Sequence, residues 1–116
     1  MTVALEYVVV RCADLERSRS FYETLGLRLE RERHGRGAQH YSCSLGAVVL
    51  ELYPLVANVS SGVRLGIRVP SVSATVESMK RIGATILRAP ADGAAPSAVI
   101  RDPDGHEIAL SEEGVR

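Results

Sequence analysis

Apolar and polar positions alternate along this chain with two distinct periods, and the periods predict its secondary structure. After Asp14 and after Ser71, apolar residues recur every three or four positions, which is typical of a helix with one buried face. Asp14 and Ser71 are both suited to cap a helix, and Gly26 and Gly83 mark where each helix ends. Elsewhere, short apolar or alternating runs predict strands. The predicted strands are 4–12, 27–33, 39–44, 48–53, 63–69, 85–88, 97–101 and 107–111.

The predicted elements occur in the order strand, helix and three strands, and this order is present twice. Arg68 and Ser71 fall on Arg11 and Asp14 at an offset of 57 positions, and residues 54–62 form a polar linker between the halves. One such unit cannot cover both faces of its sheet, so the two are expected to pair. The sequence therefore predicts a single α+β domain of two βαβββ repeats, with a larger curved mixed sheet, helices outside and a cleft inside.

A tight turn is predicted near the end of the chain at 102–105. Its sequence, Asp-Pro-Asp-Gly, combines a fixed proline φ, an aspartate that bonds its own backbone and a glycine that accepts positive φ. The turn pairs the last two predicted strands. The segment at 89–96, which connects the strands predicted at 85–88 and 97–101, is rich in Ala, Pro and Gly and is either a lid or a passive connector. Residues 112–116 are expected to be frayed.

Composition then excludes several classes of function. The 116 residues are 46% hydrophobic, and the 14 basic residues balance the 14 acidic ones, so no global field favours nucleic acid or anionic lipid. The arginine-rich stretch at 28–36 contains two glutamates and fits a solvated hairpin. No apolar run is long enough for a membrane span, and no signal peptide is expected at the N-terminus. Cys12 and Cys43 form no disulfide framework, which favours the reducing cytoplasm.

Three segments resemble the vicinal oxygen chelate superfamily, which includes glyoxalase I, bleomycin-resistance proteins and extradiol dioxygenases. They are Asp14–Leu27 with its Phe-Tyr-Glu-Thr-Leu-Gly-Leu end, Val48–Tyr53, and Arg101–Ile108 with the Asp-Pro-Asp-Gly-His-Glu motif. The resemblance covers nearly the whole chain and implies the glyoxalase/bleomycin-resistance fold. It does not imply one activity, because this fold carries isomerases, transferases, dioxygenases and binding proteins.

The resemblance also implies where a divalent ion would be held, because metal-dependent members use four strand positions that usually carry His or Glu. These positions fall on Tyr7, Glu51, Arg64 and Ala109. Only Glu51 keeps a ligand type, since arginine is a permanent cation without a lone pair and alanine has no donor. A divalent site needs three or more protein donors. We therefore expect no metal and no other cofactor at this position.

The three histidines leave a different metal site open as an alternative. His34 lies in a predicted turn and His106 lies beside the 102–105 turn, so both are expected at the surface; His40 lies in the strand predicted at 39–44.

The strand period of two predicts which side chains share the cleft. Arg11 is a further candidate besides the predicted ligand-binding residues, which are Tyr7, Glu51, Tyr53, Arg64, Arg68, Glu107 and Ala109. Carboxylates on a sheet face are costly unless paired, so we expect a salt bridge between Arg64 and Glu51. The alternative is that these charges are structural pairs on an exposed face.

These observations favour a metal-free, cytoplasmic protein that binds a small organic molecule, as bleomycin-resistance proteins do, and that forms a homodimer with no nucleic-acid or membrane partner. An alternative is a lyase or isomerase of the glyoxalase type, or another enzyme of the dioxygenase superfamily, with Glu51 as general base. A third interpretation is a regulatory module that contacts another protein.

Overall fold

The structure is a computed structural model that describes residues 4–55, 63–91 and 96–112. Within these ranges each half of the chain folds as a strand, a helix and three strands. The elements are β1 (Tyr7–Cys12), α1 (Leu15–Leu25), β2 (Glu30–Glu32), β3 (His40–Leu45), β4 (Val48–Pro54), β5 (Arg64–Val69), α2 (Val72–Arg81), β6 (Thr85–Arg88), β7 (Ser97–Arg101) and β8 (Glu107–Glu112).

The strands form two mixed sheets of four, one from each repeat. The first sheet has the order β1-β4-β3-β2 and the second the order β5-β8-β7-β6. In each, the first strand of the repeat pairs in parallel with the last, and the other pairings are antiparallel. The predicted α+β class and the two βαβββ repeats are confirmed. The structure is more specific than the prediction in one respect: the larger curved sheet that was predicted is formed by two separately hydrogen-bonded sheets.

Both helices begin and end as their sequences predict. The Asp14 carboxylate accepts a hydrogen bond from the Arg17 amide at 3.1 Å, and the Ser71 hydroxyl accepts one from the Ala74 amide at 3.2 Å. Gly26 follows α1 with a φ of 121°, a conformation that glycine adopts without a steric penalty. Apolar side chains on one face of each helix are buried, among them Phe21, Leu25, Val76 and Met79.

The two helices pack on each other, α1 packs on β4, and α2 packs on β6, β7 and β8. Their apolar faces and one face of each sheet form a single hydrophobic core that includes residues of both repeats. The second face of each sheet carries the alternate residues of every strand and is not part of this core. These two open faces are where the predicted site residues lie.

The turn at 102–105 joins the second repeat to the first. The Asp104 carboxylate accepts hydrogen bonds from the Ala13 amide at 2.9 Å and from the Ser18 hydroxyl at 3.1 Å, at the start of α1. The hydroxyl of Tyr22 donates to Asp102 at 2.7 Å. The turn is therefore a contact between repeats as well as the end of a hairpin.

Three details differ from the sequence-based expectations. The strand expected at 27–33 is only Glu30–Glu32, because Leu27 and Leu29 pack into the core before pairing begins. His106 is 6% exposed, so its predicted surface position is wrong; its Nε2 lies 3.3 Å from the carbonyl oxygen of Arg11. Glu112 was expected to be frayed, but it lies in β8. Its carboxylate accepts a hydrogen bond from the first amide of α2 at 2.8 Å.

Most of the linker expected at 54–62, the centre of the 89–96 segment and residues 113–116 lie outside the described residues. Among the described residues, no helix is long and apolar enough to cross a membrane.

Candidate functional site

The predicted ligand-binding residues lie in two groups, one on the open face of each sheet. The first sheet carries Tyr7 on β1 with Glu51 and Tyr53 on β4; the core-facing neighbours of the latter two, Leu50 and Leu52, are buried. The second sheet carries the other four, Arg64, Arg68, Glu107 and Ala109. Within residues 4–55, 63–91 and 96–112, no hydrogen bond or ion pair joins the two groups.

The predicted salt bridge between Arg64 and Glu51 is wrong. Arg64 is directly opposite Glu107 in the β5–β8 register, and its Nε lies 3.8 Å from the Glu107 carboxylate. Arg101 approaches the same carboxylate at 3.9 Å from β7. The Arg64 side chain is 58% exposed, so solvent screens this pair and its contribution to stability is small. The reason for the difference is that β4 and β5 belong to different sheets.

Glu51 lies instead beside His40, a residue for which the sequence predicted no role beyond the open histidine alternative. The Nε2 atom of His40 lies 3.5 Å from a Glu51 oxygen and 3.3 Å from a Glu32 oxygen. The imidazole stacks on the Tyr53 ring with centroids 4.2 Å apart, and the Arg11 guanidinium lies 5.2 Å from the other side of that ring. Strand alternation, which puts His40 on the open face opposite Glu32, was the signal that could have found it.

Two side chains on the open face of the first sheet, Glu32 and Tyr53, have shifted pKa values. A hydrogen bond from Ser42, followed by the nearby imidazoles of His34 and His40, lowers the pKa of Glu32. Desolvation, followed by the Glu51 carboxylate, raises the pKa of Tyr53. Tyr53 therefore presents a neutral phenol and Glu32 a carboxylate on the same face.

Open grooves accompany both faces. A groove of about 430 Å³ on the first sheet is lined by polar residues that include Glu32, Ser42 and Ser44. A wider one of about 590 Å³ includes Arg68 and Ser111 of the second sheet. Both volumes fall in the range of small-molecule sites. A further groove, of about 380 Å³, lies between α1, the end of α2 and the 102–105 turn, away from both open faces.

This architecture, two βαβββ units that each leave one sheet face open, defines the glyoxalase/bleomycin-resistance fold, also called the vicinal oxygen chelate fold. The family model described as "Glyoxalase-like domain" matches residues 7–111. The chain therefore belongs to the glyoxalase-like domain family.

Solved structures show the same fold throughout. A hypothetical protein from S. aureus is 19% identical with a TM-score of 0.76, over 97% of this chain and 95% of that one. TnmS3, an antibiotic binding protein from Streptomyces sp. CB03234, is 23% identical with a TM-score of 0.76, over 96% of each chain. A lactoylglutathione lyase from Agrobacterium tumefaciens is 17% identical with a TM-score of 0.67, over 97% and 95%. No curated protein matches the sequence.

The residues at the family's four metal-binding positions do not fit a divalent ion. Ala109 offers no donor atom, and Arg64 places a cation in an ion pair with Glu107 at that point. Tyr7 is 59% exposed at the edge of the first sheet. Glu51 alone has a usual ligand type, and its carboxylate faces His40.

Proposed function

We propose that this protein binds a small organic molecule on its open sheet faces, with no metal or other cofactor at the four family positions and without catalysing a reaction. The observation that carries the proposal is the aromatic and charged surface of the first sheet. There the Arg11 guanidinium lies over the Tyr53 ring, which stacks on the buried His40 imidazole, and the Glu51 carboxylate is beside them. Such a stack favours planar or aromatic ligands, and the adjacent carboxylate favours a ligand with hydrogen-bond donors.

The exposed Tyr7 extends this surface toward the sheet edge. Its ring is 59% accessible, so a ligand could cover it without displacing core residues. On the second sheet, Arg64 and Arg68 supply N–H donors for a carbonyl or carboxylate group of the ligand. The similarity to an antibiotic binding protein, TnmS3, supports binding as the function. The proposed ligand class is therefore a planar molecule that carries both donors and an acidic or carbonyl oxygen.

The proposal includes a homodimer. The two open faces belong to separate sheets, and a second copy could place the first-sheet face of one chain against the second-sheet face of another. Three exposed apolar side chains favour such burial: Leu5 before β1, Leu45 at the end of β3 and Val63 before β5. A groove of about 330 Å³ beside them is lined by residues of β1, β4 and β5. Two buried free cysteines fit the proposed cytoplasmic location, and the balanced charge fits the absence of nucleic-acid and membrane partners.

A second candidate is an enzyme of the glyoxalase type, or another member of the dioxygenase superfamily, with Glu51 as general base. The similarity to a lactoylglutathione lyase favours it. The position of Glu51 on an open face, with only part of its side chain exposed, is compatible with proton abstraction from a bound substrate.

Native mass spectrometry of freshly expressed protein tests the proposal, because it reports the oligomer and any co-purified molecule together. We expect a dimer that carries a small organic molecule, which denaturation releases for identification. Replacing the exposed Tyr7 by alanine should abolish binding of that molecule. Glu77→Gln, on the exposed face of α2, should retain it. A chain with no bound molecule that also fails to bind aromatic acids would contradict the binding proposal. Turnover of the released molecule that disappears in Glu51→Gln would establish the enzyme instead.

A further inference from the structure

Three potential metal ligands converge at the far edge of the first sheet, on positions that the family's metal site does not use. One ligating atom from each of Glu32, His34 and His40 lies within 4.8 Å of the other two. The β2–β3 register places Glu32 directly opposite His40. Their convergence therefore follows from strand pairing and from the turn that links the two strands.

That turn holds His34 over the cluster. The Gly37 amide donates a hydrogen bond to the His34 carbonyl at 2.9 Å, and Gly35 has a φ of 59°. A Cβ at position 37 would lie 3.0 Å from the same carbonyl oxygen and would force the turn to shift by a few tenths of an ångström, so this close approach favours glycine. The His34 ring, which is exposed, consequently lies 5.2 Å from the ring of His40.

The buried histidine has its second nitrogen in the arrangement that metal-binding histidines require. His40 is 1% exposed, and its Nδ1 lies 3.2 Å from the carbonyl oxygen of Ala38. A carbonyl oxygen can only accept, so Nδ1 carries the proton and the Nε2 lone pair points to the cluster. Metal-bound histidines almost always donate their other N–H in this way, which fixes the orientation of the ring.

The two carboxylates near Nε2 favour a cation there, and the Tyr53 hydroxyl, 3.4 Å away, can donate one hydrogen bond to the same atom. This atom lies 3.3 Å from a Glu32 oxygen and 3.5 Å from a Glu51 oxygen, and a lone pair repels both carboxylates. Two donors bound to one tetrahedral zinc ion, each at about 2.0 to 2.1 Å, lie about 3.3 Å apart. The distances from Nε2 to the two carboxylates match this value, whereas the ligating atom of His34 lies within 4.8 Å of the others and its exposed ring has to move closer to complete the site.

We propose that Glu32, His34 and His40 bind a divalent transition-metal ion, with water in the fourth position. Two imidazoles and a carboxylate suit Zn²⁺ and its first-row neighbours better than Mg²⁺ or Ca²⁺. The site differs from the family position, whose residues Tyr7, Arg64 and Ala109 take no part. It does not rest on the proposed function, because the ion would bind in the absence of any organic ligand.

The experiment is isothermal titration of the chelator-treated full chain with Zn²⁺. We expect one ion per chain. His34→Ala and Glu32→Gln each remove one donor from an accessible position, so folding should be retained, which circular dichroism checks. Each should weaken binding by at least about 10- to 100-fold, since even the loss of an outer-shell partner has that effect. Glu30→Gln, on the same strand but outside the cluster, is the matched control and should bind as the unmodified chain does.

Cobalt distinguishes this site from the two cysteines. Co²⁺ bound by histidine and carboxylate should give visible d–d bands without a thiolate-to-cobalt charge-transfer band. A charge-transfer band, an unchanged affinity in His34→Ala, or no binding of Zn²⁺ by the folded chain would each overturn the proposal.

Discussion

Replacing Tyr22 by phenylalanine removes one hydroxyl group from the place where the two repeats meet. Tyr22 is fully buried on α1, and its hydroxyl donates to Asp102 at 2.7 Å from 80 residues away in sequence. The other oxygen of Asp102 accepts from the amides of Asp104 and His106, both at 2.9 Å. The variant would leave a buried carboxylate with one donor fewer, while the rest of the turn keeps its hydrogen bonds.

The cost follows from the charge on the acceptor. A hydrogen bond to a charged group contributes about 1.5 to 3 kcal/mol, and phenylalanine fills nearly the same volume, so no cavity adds to this figure. For a domain of 116 residues, 1 kcal/mol corresponds to about 4 °C in Tm. We therefore expect Tyr22→Phe to lower the Tm by about 6 to 12 °C.

Calorimetry measures the change in Tm, and urea unfolding monitored by circular dichroism measures the change in the free energy of unfolding. Tyr7→Phe is the matched control, because it makes the same chemical change where the ring is 59% exposed, and it should change the free energy of unfolding by less than about 0.5 kcal/mol. If Tyr22→Phe unfolds within that margin of the unmodified chain, the bond to Asp102 does not stabilise the contact between the repeats and the reasoning fails.

Three further predictions concern other parts of the fold. Burial raises the pKa of the Cys12 thiol from 9.0 to about 11. The stability that the neutral thiol contributes is therefore complete below pH 9 and is lost as the pH rises through 11. Urea unfolding across this pH range should show the decrease in the free energy of unfolding, and Cys12→Ala should make that decrease smaller. Glu112→Ala removes the carboxylate that accepts the first amide of α2 and should cost about 1 kcal/mol. Glu77→Ala, on the exposed face of α2, should cost much less, and thermal unfolding can compare the two. Gly105→Ala places a side chain on a residue with a φ of 92° and should cost about 1 to 2 kcal/mol. Gly66 has no positive φ and open space around its Cβ position, so Gly66→Ala should not carry this cost. Equal costs for the two variants would refute the argument from φ.

The sequence determined every element whose cause is local. The helical period, the Asp14 and Ser71 caps and the Gly26 stop act within a few residues, so both helices begin and end where they were predicted. The turn at 102–105 and the division of β4 into core-facing and open-face residues were equally readable, because each depends on short-range geometry. The two-fold repeat of these local signals was enough to predict the fold class.

Only the tertiary structure decided which side chains meet. Arg64 pairs with Glu107 rather than Glu51 because the second sheet, not the first, supplies the strand opposite it. His40 is buried against Glu32, Glu51 and Tyr53 by strand pairing within the first sheet. Long charged side chains pair with whatever the assembled sheets bring within reach, and sheet assembly depends on contacts between residues distant in sequence. For that reason the sequence alone determined which faces are open, and the pairing of strands decided what chemistry each face carries.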